Sequence, residues 1–160
     1  MTAPVPMTRE AYDRKKKELD QMQFEDMANI AEKIATARAE GDLRENAEYH
    51  AQREAQGMLQ AKINKLREQL SFARIVDPDQ IPKGEIAFGA TVILKDLDLD
   101  EEEEMTLVGA GDEDYDAGKY LITSPLGQGL LGKKVGDSVE IEVPRGTLRF
   151  EILEIRYESD

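Results

Sequence analysis

Two long stretches without helix breakers constrain this chain more than any other feature. Between Ala11 and Glu40 there is no Gly or Pro, and Ala, Glu, Lys, Arg, Met and Gln dominate. Such residues lose little rotamer freedom in a helix and leave its hydrogen-bond ladder intact. A second stretch, from about Leu43 to Ala73, contains a single Gly, Gly57, and no Pro. In the first stretch Met27, Ile30, Ile34 and Ala37 step by 3, 4 and 3, which lays them in one stripe. Upstream, Tyr12, Leu19 and Met22 form a similar stripe, with a slip in phase around Phe24. In the second, Ala47, Ala51, Ala55 and Leu59 step by four, and Ile63, Leu66, Leu70 and Ala73 follow by 4, 3, 4 and 3. Two amphipathic stripes joined by a tight break at Gly41 predict an antiparallel coiled-coil hairpin. Arms of roughly 30 residues at ~1.5 Å each are about 45 Å long. A hairpin of that length is expected to project rather than wrap a small core. The thinning of its stripe to alanines predicts a slim far end.

Charge and composition divide the chain at the same place. The whole sequence has 160 residues, 21 Lys and Arg, 34 Asp and Glu, and a net charge of −13. Residues 1–76 hold 13 of each sign, so residues 77–160, with 8 and 21, carry the entire excess. Ten of the 12 glycines and four of the 6 prolines also fall in the second half. The run Asp77-Pro78-Asp79-Gln80-Ile81-Pro82-Lys83-Gly84 has the turn residues of a linker. The expected organisation is therefore a hairpin over 1–76, a linker over 77–84 and a second domain over 85–160.

Composition also excludes whole classes of chemistry. With no Cys there is no disulfide framework, thiolate nucleophile or Cys-ligated zinc. One histidine, His50, excludes a multi-histidine metal site. No apolar run approaches the ~20 residues of a membrane helix, and the N-terminal segment lacks a signal-peptide core. A cytoplasmic protein without membrane partners is expected.

The break between the helices reads Ala39-Glu40-Gly41-Asp42-Leu43-Arg44-Glu45-Asn46-Ala47-Glu48-Tyr49-His50. One reading is architectural: Gly41 ends the first helix in the left-handed conformation, and Asp42 with Glu45 three residues on makes a capping box for the second. The other is chemical. Two carboxylates three apart can project from an apex toward one point and supply part of the oxygen shell of a Mg²⁺ ion, which needs further ligands and waters to complete an octahedron.

The run from Ala37 through Ala51 closely resembles the tip motif of the bacterial Gre transcript-cleavage factors. The likeness continues through Ile86-Ala87-Phe88-Gly89-Ala90-Thr91-Val92 and Ser124-Pro125-Leu126-Gly127-Gln128-Gly129-Leu130-Leu131-Gly132, so it spans both halves in order. The resemblance implies an elongation factor whose partners are bacterial RNA polymerase and the 3′ end of nascent RNA in backtracked complexes. On this view the hairpin enters the secondary channel, and Asp42 and Glu45 help hold a second Mg²⁺ shared with the polymerase, which performs the RNA cleavage. The protein would thus lend ligands rather than be an enzyme. Arg38 and Arg53 match a basic patch near the tip that contacts RNA phosphates, although solvated helix charges explain them equally well. Arg44 is read as easing repulsion between the carboxylates. Tyr49 is expected to support the tip, by orienting a carboxylate, stacking on a base or packing on the hairpin. His50 is given a structural role.

The second half alternates in the manner of short strands: Gly89–Leu94, Glu104–Val108, Lys119–Thr123, Ser138–Val143 and Thr147–Tyr157, the last with a possible bulge near Leu153. A short helix is expected after Ser124-Pro125, up to Gly132. The resemblance implies an FKBP-like α+β domain here, so the fold class is α+β. It also places Ser124 and Pro125 in a polymerase-docking region; the alternative is that they are simply the cap and first residue of the helix. The acidic runs Asp96–Glu104 and Asp112–Asp116 lack the central Gly and terminal spacing of a calcium loop and are read as solvated loops. The negative charge argues against free, sequence-specific nucleic-acid binding. Two other functions remain open: a Gre-like regulator that occupies the channel without promoting cleavage, and a prolyl isomerase or chaperone-like module suggested by the FKBP-like fold.

Overall fold

A computed structural model describes residues 3–42 and 46–157. The chain divides into two compact units: residues 1–5 with 12–73, and residues 6–11 with 74–160.

The first unit is the helical hairpin. Its first arm runs through α1 (Arg9–Gln21), a π-helical segment (Met22–Asp26) and α2 (Met27–Ala39); its second is α3 (Ala47–Ser71). The π segment explains the slip in phase. Tyr12, Leu19 and Met22 define a heptad frame whose next seam positions would be 26, 29, 33 and 36. The apolar residues instead stand one residue later, at Met27, Ile30, Ile34 and Ala37. A π turn closes i→i+5 bonds and so absorbs one extra residue without rotating the rest of the helix out of register. Leu19, Met22, Ile34 and Ala37 are all buried, whereas Phe24, within the π turn, is 71% exposed. On α3, Ile63, Leu66 and Leu70 are buried as expected. Nearer the tip, Ala47 and Ala51 face solvent and Tyr49 and Gln52 are half-buried instead, while Ala55 and Leu59 stay half-buried as expected. Steps of four overshoot the 3.6-residue turn by about 40° each, so a run of them cannot stay on one face.

In the second unit, β3 (Thr91–Asp96), β4 (Glu101–Val108), β5 (Lys119–Leu121), β6 (Ser138–Val143) and β7 (Gly146–Arg156) form one sheet in the order β5-β4-β3-β7-β6. All pairings are antiparallel except β4 with β5. The bulge falls where expected: Ile93 pairs with Glu154 but Leu94 with Ile152, leaving Leu153 unopposed. The short helix α4 (Pro125–Leu130) packs on β6. Leu94, Leu107, Leu130 and Ile152 are fully buried, each stabilising the core by about 1.5–3 kcal/mol. Between Val5 and Ile75, two three-residue strands, β1 (Val5–Met7) and β2 (Ala73–Ile75), form a separate ribbon. The architecture is α+β.

Some boundaries differ from the alternation. The first sheet strand begins at Thr91 rather than Gly89, because residues 87–90 form a turn closed by Ala90 N–H to the Ala87 carbonyl, with Gly89 at φ 87°. The acidic run is not all loop. Only residues 97–100 turn, and Glu101–Glu104 are strand, paired to β3 and exposed on both faces. Basic neighbours offset their charge: Lys95 reaches Asp100 at 3.1 Å and Arg156 reaches Glu104 at 2.7 Å. The hydrogen bond from Lys95 to Asp100, together with the charge of that carboxylate, raises the lysine's pKa above its usual 10.5. Buried Asp96 accepts the amides of Asp98 and Leu99 at 2.9 and 3.1 Å, which sets the turn. Among the described residues no helix is long and apolar enough to cross a membrane.

Candidate functional site

At the hairpin tip the structure gives the cap of the second helix to a residue other than Asp42. The second helix begins at Ala47, and its N-cap is Asn46, in an extended conformation. The Asn46 Oδ1 accepts the Tyr49 amide at 3.0 Å, while its Nδ2 donates to the Ala37 carbonyl at 2.6 Å. One side chain therefore satisfies an orphan donor at the start of α3 and gives a second donor to a carbonyl near the end of α2 that also accepts the Glu40 amide at 3.2 Å. The capping-box expectation is corrected: Asp42 is not the cap of the second helix. It is exposed and follows Gly41, whose φ of 141° only glycine adopts easily. Glu45 and Arg44 lie outside the described residues.

A second tie crosses the hairpin one residue along. The Arg38 guanidinium carbon lies 5.8 Å from the centre of the Tyr49 ring, within cation–π range. His50 meets the same ring edge-on with centroids 5.5 Å apart. Arg38 and Tyr49 are thus brought together, and Tyr49 acts as a packing residue as well as a candidate support for the tip. Arg53 is exposed on α3 and bonds Gln56 at 3.2 Å. In the second unit, Ser124 caps α4: its hydroxyl accepts the Gly127 amide at 3.1 Å and donates to the Leu121 carbonyl at 2.7 Å. Pro125 is exposed at the first helical position.

Asn46 is the residue that sequence reasoning passed over. The signal was present, since Asn is among the strongest N-caps, but Asp42 with Glu45 made a more complete local motif. The second hydrogen bond of Asn46 goes to a carbonyl nine residues back in the chain, which no local pattern contains.

Among the described residues no group of three or more His, Asp or Glu side chains converges on a metal position. The donor chemistry of Asp42, an exposed carboxylate, nevertheless fits a hard cation such as Mg²⁺ as one ligand among several supplied from elsewhere.

Both units match known family models. Residues 5–75 match the N-terminal domain of transcription elongation factors, and residues 81–157 match the C-terminal domain of GreA and GreB transcription elongation factors. The chain belongs to the GreA/GreB family. Its GreA/GreB relatives align end to end. Transcription elongation factor GreA of Thermodesulfovibrio yellowstonii is 45% identical over 99% of this chain and 100% of its own length. GreA of Chlorobium phaeobacteroides is 46% identical over 97% and 98%. Among solved structures, the GreA factor homolog Gfh1 of Thermus thermophilus aligns at 24% identity and a TM-score of 0.46, over 96% of this chain and 99% of that one.

Proposed function

We propose that this GreA-type elongation factor stimulates endonucleolytic cleavage of the 3′ RNA in backtracked RNA polymerase. In this reading its hairpin enters the secondary channel, and the polymerase performs the reaction. The observation that carries it is the placement of Asp42: Asn46 caps α3, and Asp42 follows Gly41 at the end of the first arm with its carboxylate exposed. Asp42 and Glu45 would hold a Mg²⁺ ion shared with the polymerase. When bound, that ion supplies Lewis-acid activation of water and stabilisation of charge on the phosphodiester. The chain's own residues bind and orient. Asp42 and Glu45 present acceptor oxygens toward the ion and its water. Arg38 and Arg53 offer guanidinium donors to RNA phosphates, and Tyr49, braced by Arg38, keeps the first turn of α3 in place. Ser124 and Pro125 mark the proposed docking region on the polymerase. The acidic second unit disfavours RNA except inside the complex, consistent with a cytoplasmic factor that acts only on its host enzyme.

The test is the double substitution Asp42→Asn with Glu45→Gln, assayed on stalled, backtracked polymerase carrying end-labelled RNA, with and without Mg²⁺. Cleavage stimulation is expected to fall by about 100-fold or more, in line with removal of groups that stabilise developing charge. Melting temperature and binding to polymerase should remain unchanged. Wild-type cleavage by the double variant would refute the assignment of Asp42 and Glu45, and no cleavage by the unaltered protein would favour a channel-occupying regulator.

A further inference from the structure

We infer that Asn46 is a positioning residue for the Asp42 carboxylate, acting by clasping the two arms together beside the tip. The inference rests on the cleavage function proposed above. Asn46 sits at the start of α3 and Ala37 in the last turns of α2, and Ala37 is 1% exposed. The Asn46 amide joins them through one hydrogen bond, its Nδ2 donating to the Ala37 carbonyl at 2.6 Å, while its Oδ1 is held in α3 by the Tyr49 N–H at 3.0 Å. The Arg38–Tyr49 contact lies beside this clasp and runs between the same two turns. Asp42 lies in the connection between the two residues that this side chain ties together. Closing a short segment removes conformational freedom from what it carries. Carboxylates that must meet a partner's catalytic centre depend on that restriction, because small displacements at a reacting centre cost large factors in rate.

The clasp needs both ends of an amide: an oxygen for the Tyr49 N–H and an N–H for the Ala37 carbonyl. Substitutions can divide these roles. Asn46→Ser and Asn46→Asp both keep an oxygen that caps α3, and both lose the Nδ2 donor. Asn46→Asp adds a charge at the tip and Asn46→Ser does not, so agreement between them removes charge as the cause.

The experiment measures stimulated RNA cleavage against protein concentration for the full-length wild type and both variants. Melting temperature and Tyr49 amide exchange are followed in parallel. The expected result is a maximal cleavage rate lowered by roughly tenfold or more in both variants. The half-saturating concentration, the melting temperature and the protection of the Tyr49 amide should stay close to wild type. That split separates positioning from folding and from docking. If both variants reach the wild-type maximum while the wild type itself stimulates cleavage, Asn46 is a helix cap alone and the inference is overturned. A maximal rate that falls only in step with melting temperature or Tyr49 protection also overturns it. Absence of cleavage by the wild type would overturn the proposed function, and this inference with it.

Discussion

Gly127 and Gly57 both lie in helices, yet replacing each with Ala has opposite expected outcomes. A Cβ on Gly127 would stand 2.5 Å from the Ile122 carbonyl oxygen and 2.6 Å from that of Leu121, both backbone atoms that cannot swing aside. Gly127→Ala should destabilise the second unit by about 2 kcal/mol or more through overpacking. Around Gly57, inside α3, nothing lies within 4 Å of the added carbon. Gly57→Ala should stabilise the hairpin by about 0.5–1 kcal/mol, because Ala gives up less backbone entropy on entering a helix. Urea unfolding of the two variants, followed by probes in each unit, checks both signs. At this scale the site was partly legible. Asp42, Arg38 and Tyr49 stood out as residues, but the clasp of Asn46 to Ala37 depends on a partner in the other arm.

Single-residue counting decides the behaviour of the first arm. The π segment Met22–Asp26 accommodates the one residue by which the seam before it disagrees with the seam after it. Removing that residue should restore a continuous α-helix with both stripes still facing α3. Deletion of Glu25, which is exposed, is therefore expected to leave the melting temperature unchanged or raised. Deletion of exposed Glu32, within α2, should lower it by several degrees, since it rotates the two halves of the arm by a further ~100° relative to each other. Thermal unfolding of the two deletions provides the comparison. The slip was visible in the spacing of Met22 and Met27, but spacing alone does not say whether the chain breaks, kinks or bulges. Packing against one continuous partner, α3, selected the bulge.

For the whole molecule, the asymmetry of charge is the dominant electrostatic fact. Residues 1–76 are balanced, and residues 77–160 carry the net −13. Self-repulsion in an acidic unit is relieved by screening. Raising ionic strength from about 10 mM to about 150 mM, where the Debye length falls from ~30 to ~8 Å, should raise the unfolding midpoint of the second unit and barely change that of the hairpin. Amide exchange resolved by unit is the measurement. An equal response of both units would show that the local pairs Lys95–Asp100 and Arg156–Glu104 already neutralise the acidic strand.

Periodicity and composition alone determined that this chain forms a helical hairpin followed by a small sheet domain, with an acidic turn at the apex. They sufficed because amphipathic spacing, glycine placement and strand alternation are local consequences of backbone geometry. Tertiary structure decided what depends on a partner distant in sequence. Glu101–Glu104 became a strand because β3 offers a backbone ladder and basic side chains stand beside it. The inward face of α3 near the tip passed to Tyr49 and Gln52 because the opposite arm fixes the seam. Asn46 rather than Asp42 caps α3, and its amide also reaches the Ala37 carbonyl in the opposite arm, a contact that exists only because the two helices pack side by side and that no local motif contains.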